Sequence, residues 1–190
     1  MLWKNRIISI DIETTGLDAT EDEIVQISIV NGRGKTLYNS YIRPEDGRAW
    51  DRGMGSRKAA WQAVRNAPAL RHERRKIERI LRRADLIVGY NHKAFDMPFL
   101  AAKGINTAVK ARLYDVMLEF AYIAGEYNDE YGDYCWKPLT YCAWYYGYTD
   151  YKPHDANEDA LAALYCYYAI QRDRKGRKTA EKRKRSLRAG

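Results

Sequence analysis

Cysteine is scarce in this chain of 190 residues, with only Cys135, Cys142 and Cys166. They form no C-x-x-C pair, and the Cys142/Cys166 spacing matches no zinc pattern, so neither a disulfide framework nor a zinc site is expected. A reducing, cytoplasmic setting is therefore the expectation, with the source, bacterium, phage or other, left open. No apolar run approaches the ~20 residues of a membrane-spanning helix. The first residues, MLWKNRIISIDIE, lack the apolar core and cleavage site of a secretory signal. Net charge is also missing from most of the chain. Residues 1–171 hold 23 Lys/Arg and 23 Asp/Glu, whereas residues 172–190 hold ten Lys/Arg against Asp173 and Glu181, which accounts for the whole formal charge of +8.

Apolar side chains, in contrast, are plentiful. AVILMFWYC make up 46% of the chain, enough for one globular domain with a sizeable core. Tyr (16) and Trp (5) are numerous, which suits stacking surfaces and cores alike. The stretch Ile7–Leu17 (IISIDIETTGL) organises the rest. Its β-branched run predicts a buried strand, and its period of two places Asp11 and Glu13 on one face. Two such carboxylates repel by roughly 4 kcal/mol at ~4 Å in an effective dielectric of ~20. A divalent cation is the natural counter-charge. Taken alone, the pair also fits an edge strand with two solvated acids. Thr14-Thr15-Gly16-Leu17 ends the strand in a turn, where Gly16 would let backbone approach a ligand.

The chain then predicts strands over Glu23–Val30 and Lys35–Ile42, joined by the hairpin signal Asn31-Gly32. Residues 46–57, with three glycines, read as a loop, and Lys58–Asn66 as one or two helical turns. A helix is predicted over Ala69–Arg83, where Leu70, Ile77, Ile80 and Leu81 recur at helical spacing. Its other face carries Arg71, Arg74, Arg75, Arg79, Arg82 and Arg83, which suits a solvated face or a phosphate-contacting one. A fourth strand follows at Asp85–Tyr90, then helices at Phe95–Lys103, Asp115–Ala124 and Pro138–Tyr146, with a tyrosine-rich loop over 125–134. The last helix of the body is expected from Ala156 to about Arg172, opened by the capping pair Asp155 and Glu158. Residues 173–190 have almost no apolar content, so a basic tail, disordered or transiently helical, is expected after a domain spanning 1–172.

Four acids thus stand at element ends or on core-facing positions: Asp11, Glu13, Asp96 and Asp159, with His154 five residues before the last. In this the chain resembles the DEDD exonucleases, in the DnaQ-like subgroup with a catalytic histidine. Three blocks carry the resemblance in order. They are Asp11-Ile12-Glu13-Thr14-Thr15-Gly16-Leu17, then Val88-Gly89-Tyr90-Asn91-His92-Lys93-Ala94-Phe95-Asp96 (G-x-N-x-x-x-F-D), then His154-Asp155-Ala156-Asn157-Glu158-Asp159-Ala160 (H-x-A-x-x-D-A). The tyrosine subgroup would place Tyr four residues before the final acid, where this chain has Asp155. The family's H-G-I-T-like segment is matched only loosely by Arg52-Gly53-Met54-Gly55-Ser56.

The resemblance implies an α/β, ribonuclease H-like mixed sheet flanked by helices. It implies a 3′→5′ exonuclease using two divalent ions, Mg²⁺ or Mn²⁺, and yielding nucleoside 5′-monophosphates from single-stranded or frayed nucleic acid. In that scheme Asp11 bridges both ions, Glu13 and Asp159 hold the ion bearing the nucleophilic water, and Asp96 supports the other. His154 takes the water's proton, a task suited to imidazole with its reference pKa of ~6.5. Thr14, Thr15, Gly16 and Leu17 would meet the terminal nucleotide through backbone and an apolar wedge, with Asn91 and Phe95 lining the same pocket. Phe95 suits the core equally well. Lys137, Tyr141, Trp144 and Tyr145 stay open between core and cleft. The tail would add affinity for nucleic acid or dock an acidic partner such as a polymerase, and Lys182-Arg183-Lys184-Arg185 as a nuclear address ranks below both. A non-catalytic nucleic-acid-binding or polymerase-accessory module and an endonuclease on the same fold are the alternatives. No residue selects DNA over RNA.

Overall fold

The computed structural model describes residues 6–45 and 58–188, with side chains given outside 58–61 and 177–188. The expected loop at 46–57, and with it the Arg52–Ser56 segment, lies outside the described residues.

Five strands form one sheet in the order β3-β2-β1-β4-β5. They are β1 (Ile7–Thr14), β2 (Ile24–Asn31), β3 (Thr36–Tyr41), β4 (Leu86–Gly89) and β5 (Arg112–Asp115). β1 lies at the centre, antiparallel to β2 and parallel to β4, so the sheet is mixed as expected. The helices are α1 (Lys58–Arg65), α2 (Leu70–Arg83), α3 (Asp96–Ala102), α4 (Val116–Ala124), α5 (Leu139–Tyr145) and α6 (Ala156–Arg188).

Alternation along β1 sorts its side chains between two cores. Ile8, Ile10 and Ile12 pack with Ile77 and Leu81 of α2 and with Phe99 and Leu100 of α3. Ile7 faces the other way, with Phe120 of α4, Cys142 of α5 and Ala160, Leu164 and Ile170 of α6. Ser9, Asp11 and Glu13 share that second face by period. Ser9 is fully buried there, and Ala156, Ala160 and Ala163 are buried on α6. The three alanines recur at helical spacing, and their small side chains let α6 cross close to β1. Asp159 falls on the same stripe.

Three elements differ from the sequence reading. Arg112–Asp115 is a strand paired with β4, although its four residues show no alternation. The tyrosine loop contains a two-stranded hairpin, Tyr127–Asn128 (β6) on Asp133–Tyr134 (β7). The last helix runs on from Arg172 to Arg188. No proline follows Pro153, and Lys, Arg, Ala and Glu are good helix formers, so nothing stops the helix where apolar content ends. Arg174 pairs with Glu119 of α4, which holds the helix against the body at that point.

Candidate active site

β1 and β4 pair only from Ile7 to Ser9. Beyond that β4 turns away, and the β4-side edge of β1 is left without a strand. Asp96, first residue of α3, closes the gap: its buried Oδ1 accepts a hydrogen bond from the backbone N–H of Ile12 at 3.1 Å. Asp96 is thereby fixed beside the end of β1 that carries Asp11 and Glu13.

The loop from β4 to Asp96 is held from beneath. Asp115 is buried at the end of β5 and accepts from Asn91 N–H (3.0 Å), Lys93 N–H (3.2 Å) and Met117 N–H (3.1 Å). Its Oδ2 lies 3.5 Å from Nδ1 of the buried His92. Despite burial, these contacts hold the Asp115 carboxyl below its ordinary range, the His92 ring contributing most. A Cβ at Gly89 would lie 2.6 Å from the Cβ of His92, so only glycine admits this turn. Sequence reasoning passed over Asp115, because its role depends on partners 22 and 24 residues away.

Asp159 arrives from the opposite side, on the first turns of α6. Polar side chains of β2 and β3 anchor that helix start. Gln26 Nε2 donates to Asp155 Oδ2 (3.4 Å), and Asn157 Oδ1 accepts from Ser28 Oγ (3.1 Å) and Thr36 Oγ1 (2.9 Å). Asp155 caps the helix as expected, accepting from the backbone N–H groups of Asn157 and Glu158. Asp159 Oδ2 accepts the backbone N–H of His154 at 2.8 Å. His154 adopts φ 67°, and Asn91 φ 60°. These are the non-glycine residues with left-handed backbone among the described residues, and both border the same cleft.

The cleft is open, about 280 Å³, and lined by Asp11, Glu13, Thr14, Asn91, Phe95, Asp96, His154 and Asp159 among others. One donor atom each from Glu13, His154 and Asp159 lies within 4.8 Å of the others, a set able to hold a metal ion. Burial pushes Asp11 well above the carboxylate range, and the charges of Asp96, Asp159 and Glu13 push it further. Burial likewise raises Asp96 to about 8 and Asp159 to about 6. A carboxyl raised to about 8 holds its proton at neutral pH until a cation displaces it, whereas one raised to about 6 is largely ionised there.

Of the expected nucleotide contacts, Thr14, Asn91 and Phe95 line the cleft. Phe95 also packs its ring 5.4 Å from that of Phe99, so it serves core and cleft together. The Thr15 hydroxyl turns away to Asp22, at 3.2 Å. The tight approach at Gly16 is made by that same Asp22 carboxyl, with which a Cβ would collide, so here the glycine accommodates the chain's own side chain. Leu17 stands 86% exposed. Tyr90, not singled out by its sequence, lines the cleft and donates its hydroxyl to the Lys137 carbonyl at 2.5 Å.

The raised acids fix a sign for stability. A buried carboxyl lifted from 3.8 to about 8 contributes its full stability below the lower value and loses it as pH rises through the upper one. The metal-free protein should therefore melt at lower temperature at about pH 8 than at about pH 5, and Mg²⁺ should raise the melting temperature more at the higher pH. Calorimetry at both pH values with and without Mg²⁺ checks this. A Mg²⁺ increment that shrinks with rising pH contradicts it.

Comparison with known proteins identifies the fold and the family. E. coli Exonuclease I, solved in complex with a dA16 oligonucleotide, superposes with a TM-score of 0.63 at 15% identity over 90% of this chain and 41% of that one. The Neurospora crassa Pan2 catalytic unit, with protease and nuclease domains, gives 0.60 at 16% identity over 94% and 29%. The Pan2 exonuclease module of Saccharomyces cerevisiae, in complex with AAGGAA RNA, gives 0.59 at 15% over 89% and 29%. The chain thus spans less than half the length of each, and at these identities the likeness establishes the ribonuclease H-like fold. No curated protein sequence gives a significant match. The family profile described as Exonuclease, of the RNase T type, matches residues 8–167. That match takes in β1, the Asn91–Asp96 loop and the start of α6, and by it the chain belongs to the RNase T exonuclease family.

Proposed function

We propose that the chain is a metal-dependent 3′→5′ exonuclease that releases nucleoside 5′-monophosphates from single-stranded or frayed ends. The observation that carries this is the meeting of Asp11, Glu13, Asp96, His154 and Asp159 around one open cleft from three distant stretches of sequence. When bound, a pair of Mg²⁺ or Mn²⁺ ions supplies water activation and neutralises the leaving oxygen. Asp11, Glu13, Asp96 and Asp159 would hold them, because hard cations favour carboxylate oxygens. His154, at the exposed rim of the cleft, takes the proton of the attacking water and passes it to solvent. Thr14, Asn91 and Phe95 seat the last nucleotide. Thr15 and Gly16 offer backbone, and Leu17 wedges against the terminal base.

The oligonucleotide and RNA complexes of the similar structures support nucleic acid as substrate, and DNA and RNA both remain in the proposal. The experiment is degradation of labelled oligonucleotides with Mg²⁺ against EDTA, on matched DNA and RNA. We assign residues 173–190 to polyanion contact, with nucleic acid or with an acidic partner such as a polymerase. A cytoplasmic setting, where Cys142 and Cys166 stay free thiols, belongs to the same reading.

Deleting residues 177–190, which spares the Arg174–Glu119 pair, should weaken oligonucleotide binding at low salt and flatten its salt dependence. The rate at saturating substrate should be unchanged. A salt titration of binding and a saturation curve for the truncated protein check this; a collapse of the saturating rate would put the tail in the site.

A further inference from the structure

Seven tyrosine and tryptophan side chains stand exposed from Tyr122 on α4 to Tyr145 on α5. Exposed apolar surface on that scale marks a contact site more often than chance. The patch has two parts with different charge. Tyr127 and Tyr131 lie in the hairpin segment, among Glu126, Asp129, Glu130 and Asp133, which repel a phosphate chain. Trp136, Tyr141 and Trp144 lie on or just before α5, and residues 138–149 contain no charged side chain. Their exposures are 62%, 42% and 63%.

The second part continues the cleft. Pro138, Leu139 and Thr140 line a lobe of about 250 Å³ together with Asp11, Tyr90, His154 and Asp159. Thr140 and Trp144 are one helical turn apart, so the exposed stripe climbs α5 from the lobe by about 5.4 Å per turn. The Tyr141 and Trp144 ring centroids lie 5.8 Å apart, with the ring planes tilted by 50°. The hydrogen bond from Tyr90 to the Lys137 carbonyl ties the start of the stripe to the cleft wall. Lys137 itself is engaged with Glu126.

We propose that Trp136, Tyr141 and Trp144 form a stacking track for the unpaired bases upstream of a 3′ end held in the cleft. The proposal rests on the exonuclease reading and adds where the rest of the strand goes. With two divalent cations held, the four carboxylates of the cleft are neutralised, and no excess positive charge is left to draw in the upstream phosphates. Stacking offers affinity that needs no cation beside those acids, and it tolerates any sequence because every base has a π-face. The track thus supplies the salt-insensitive part of binding, whereas the basic tail supplies the salt-sensitive part.

The test compares a single-stranded oligonucleotide with the same strand made abasic upstream of its last two nucleotides, degraded by the full chain with Mg²⁺. The abasic strand should raise KM about tenfold for the wild-type protein. Trp144→Ala should raise KM for the intact strand and narrow the difference between the two strands, and Trp144→Phe should restore it. Circular dichroism melting of each variant establishes that it is folded. Equal KM values for both strands with the wild-type protein overturn the track and leave the exonuclease reading standing. A wild-type protein that degrades neither strand overturns both. If Trp144→Ala instead converts a dimer to a monomer in sedimentation with KM unchanged, the face joins copies of the chain and the proposal falls.

Discussion

Asp11→Asn should abolish Mg²⁺-dependent release of mononucleotides while leaving the fold intact. Asp11 lies within electrostatic reach of four other carboxylates, Asp96, Asp159, Glu13 and Asp155, so removing its charge takes a ligand out of the acidic cluster that would hold the cations. Losing several kcal/mol of transition-state charge stabilisation corresponds to a fall in rate on the order of a thousandfold to ten-thousandfold. The fold should not suffer, because burial and four neighbouring charges already disfavour the ionised carboxyl. Asparagine keeps the shape and removes that repulsion, so the metal-free variant should melt at the same temperature as the parent or higher. Turnover on a labelled oligonucleotide and a melting curve, read together, check both halves. Full activity in a well-folded Asp11→Asn protein would end the account.

His154→Ala should slow turnover by about a hundredfold to ten-thousandfold, the range for a positioned proton acceptor. Cation binding, read by Mn²⁺ titration calorimetry, should persist, since the four carboxylates remain. The backbone complicates the reading in a useful way. His154 sits at φ 67° and presents its N–H to Asp159 at 2.8 Å. Alanine is strained in that conformation, whereas asparagine adopts it readily. If the imidazole takes the proton, His154→Asn should be as slow as His154→Ala. If asparagine restores the rate, the residue acts through its backbone N–H on Asp159, and proton transfer must be assigned elsewhere.

The site was legible where chemistry and local geometry coincide in sequence. The period of two in Ile7–Thr14 placed Asp11 and Glu13 together, and β1 has that face turned to α6. Asp96 and Asp159 came from spacing and family pattern; the hydrogen bond of Asp96 to Ile12 and the approach of Asp159 to Glu13 put both at the end of β1. The capping role of Asp155 was readable because its partners lie two and three residues away. What escaped depends on distance along the chain. Asp115 looks like a helix-start acid, and only the fold brings the Asn91–Lys93 loop onto it. Arg112–Asp115 is too short for periodicity to declare it a strand, and pairing with β4 makes it one. Gly16 was read for close approach to a ligand; the fold adds a second demand, because a Cβ there would collide with the Asp22 carboxyl. Tyr141 and Trp144 could not be sorted between core and surface, because α5 is aromatic on most sides and only its neighbours decide which side is covered.

The central proposal is that four carboxylates gathered at the end of β1 hold divalent cations and, with His154 beside them, cut nucleic acid from its 3′ end. The most direct measurement follows a 5′-labelled single-stranded oligonucleotide in Mg²⁺, with its 3′ hydroxyl free or blocked, alongside a sample in EDTA. The account predicts a ladder shortening one nucleotide at a time from the free 3′ end, with 5′-monophosphates as product, no shortening of the blocked strand, and none in EDTA. Internal fragments appearing first from the blocked strand, or shortening that survives EDTA, would contradict it.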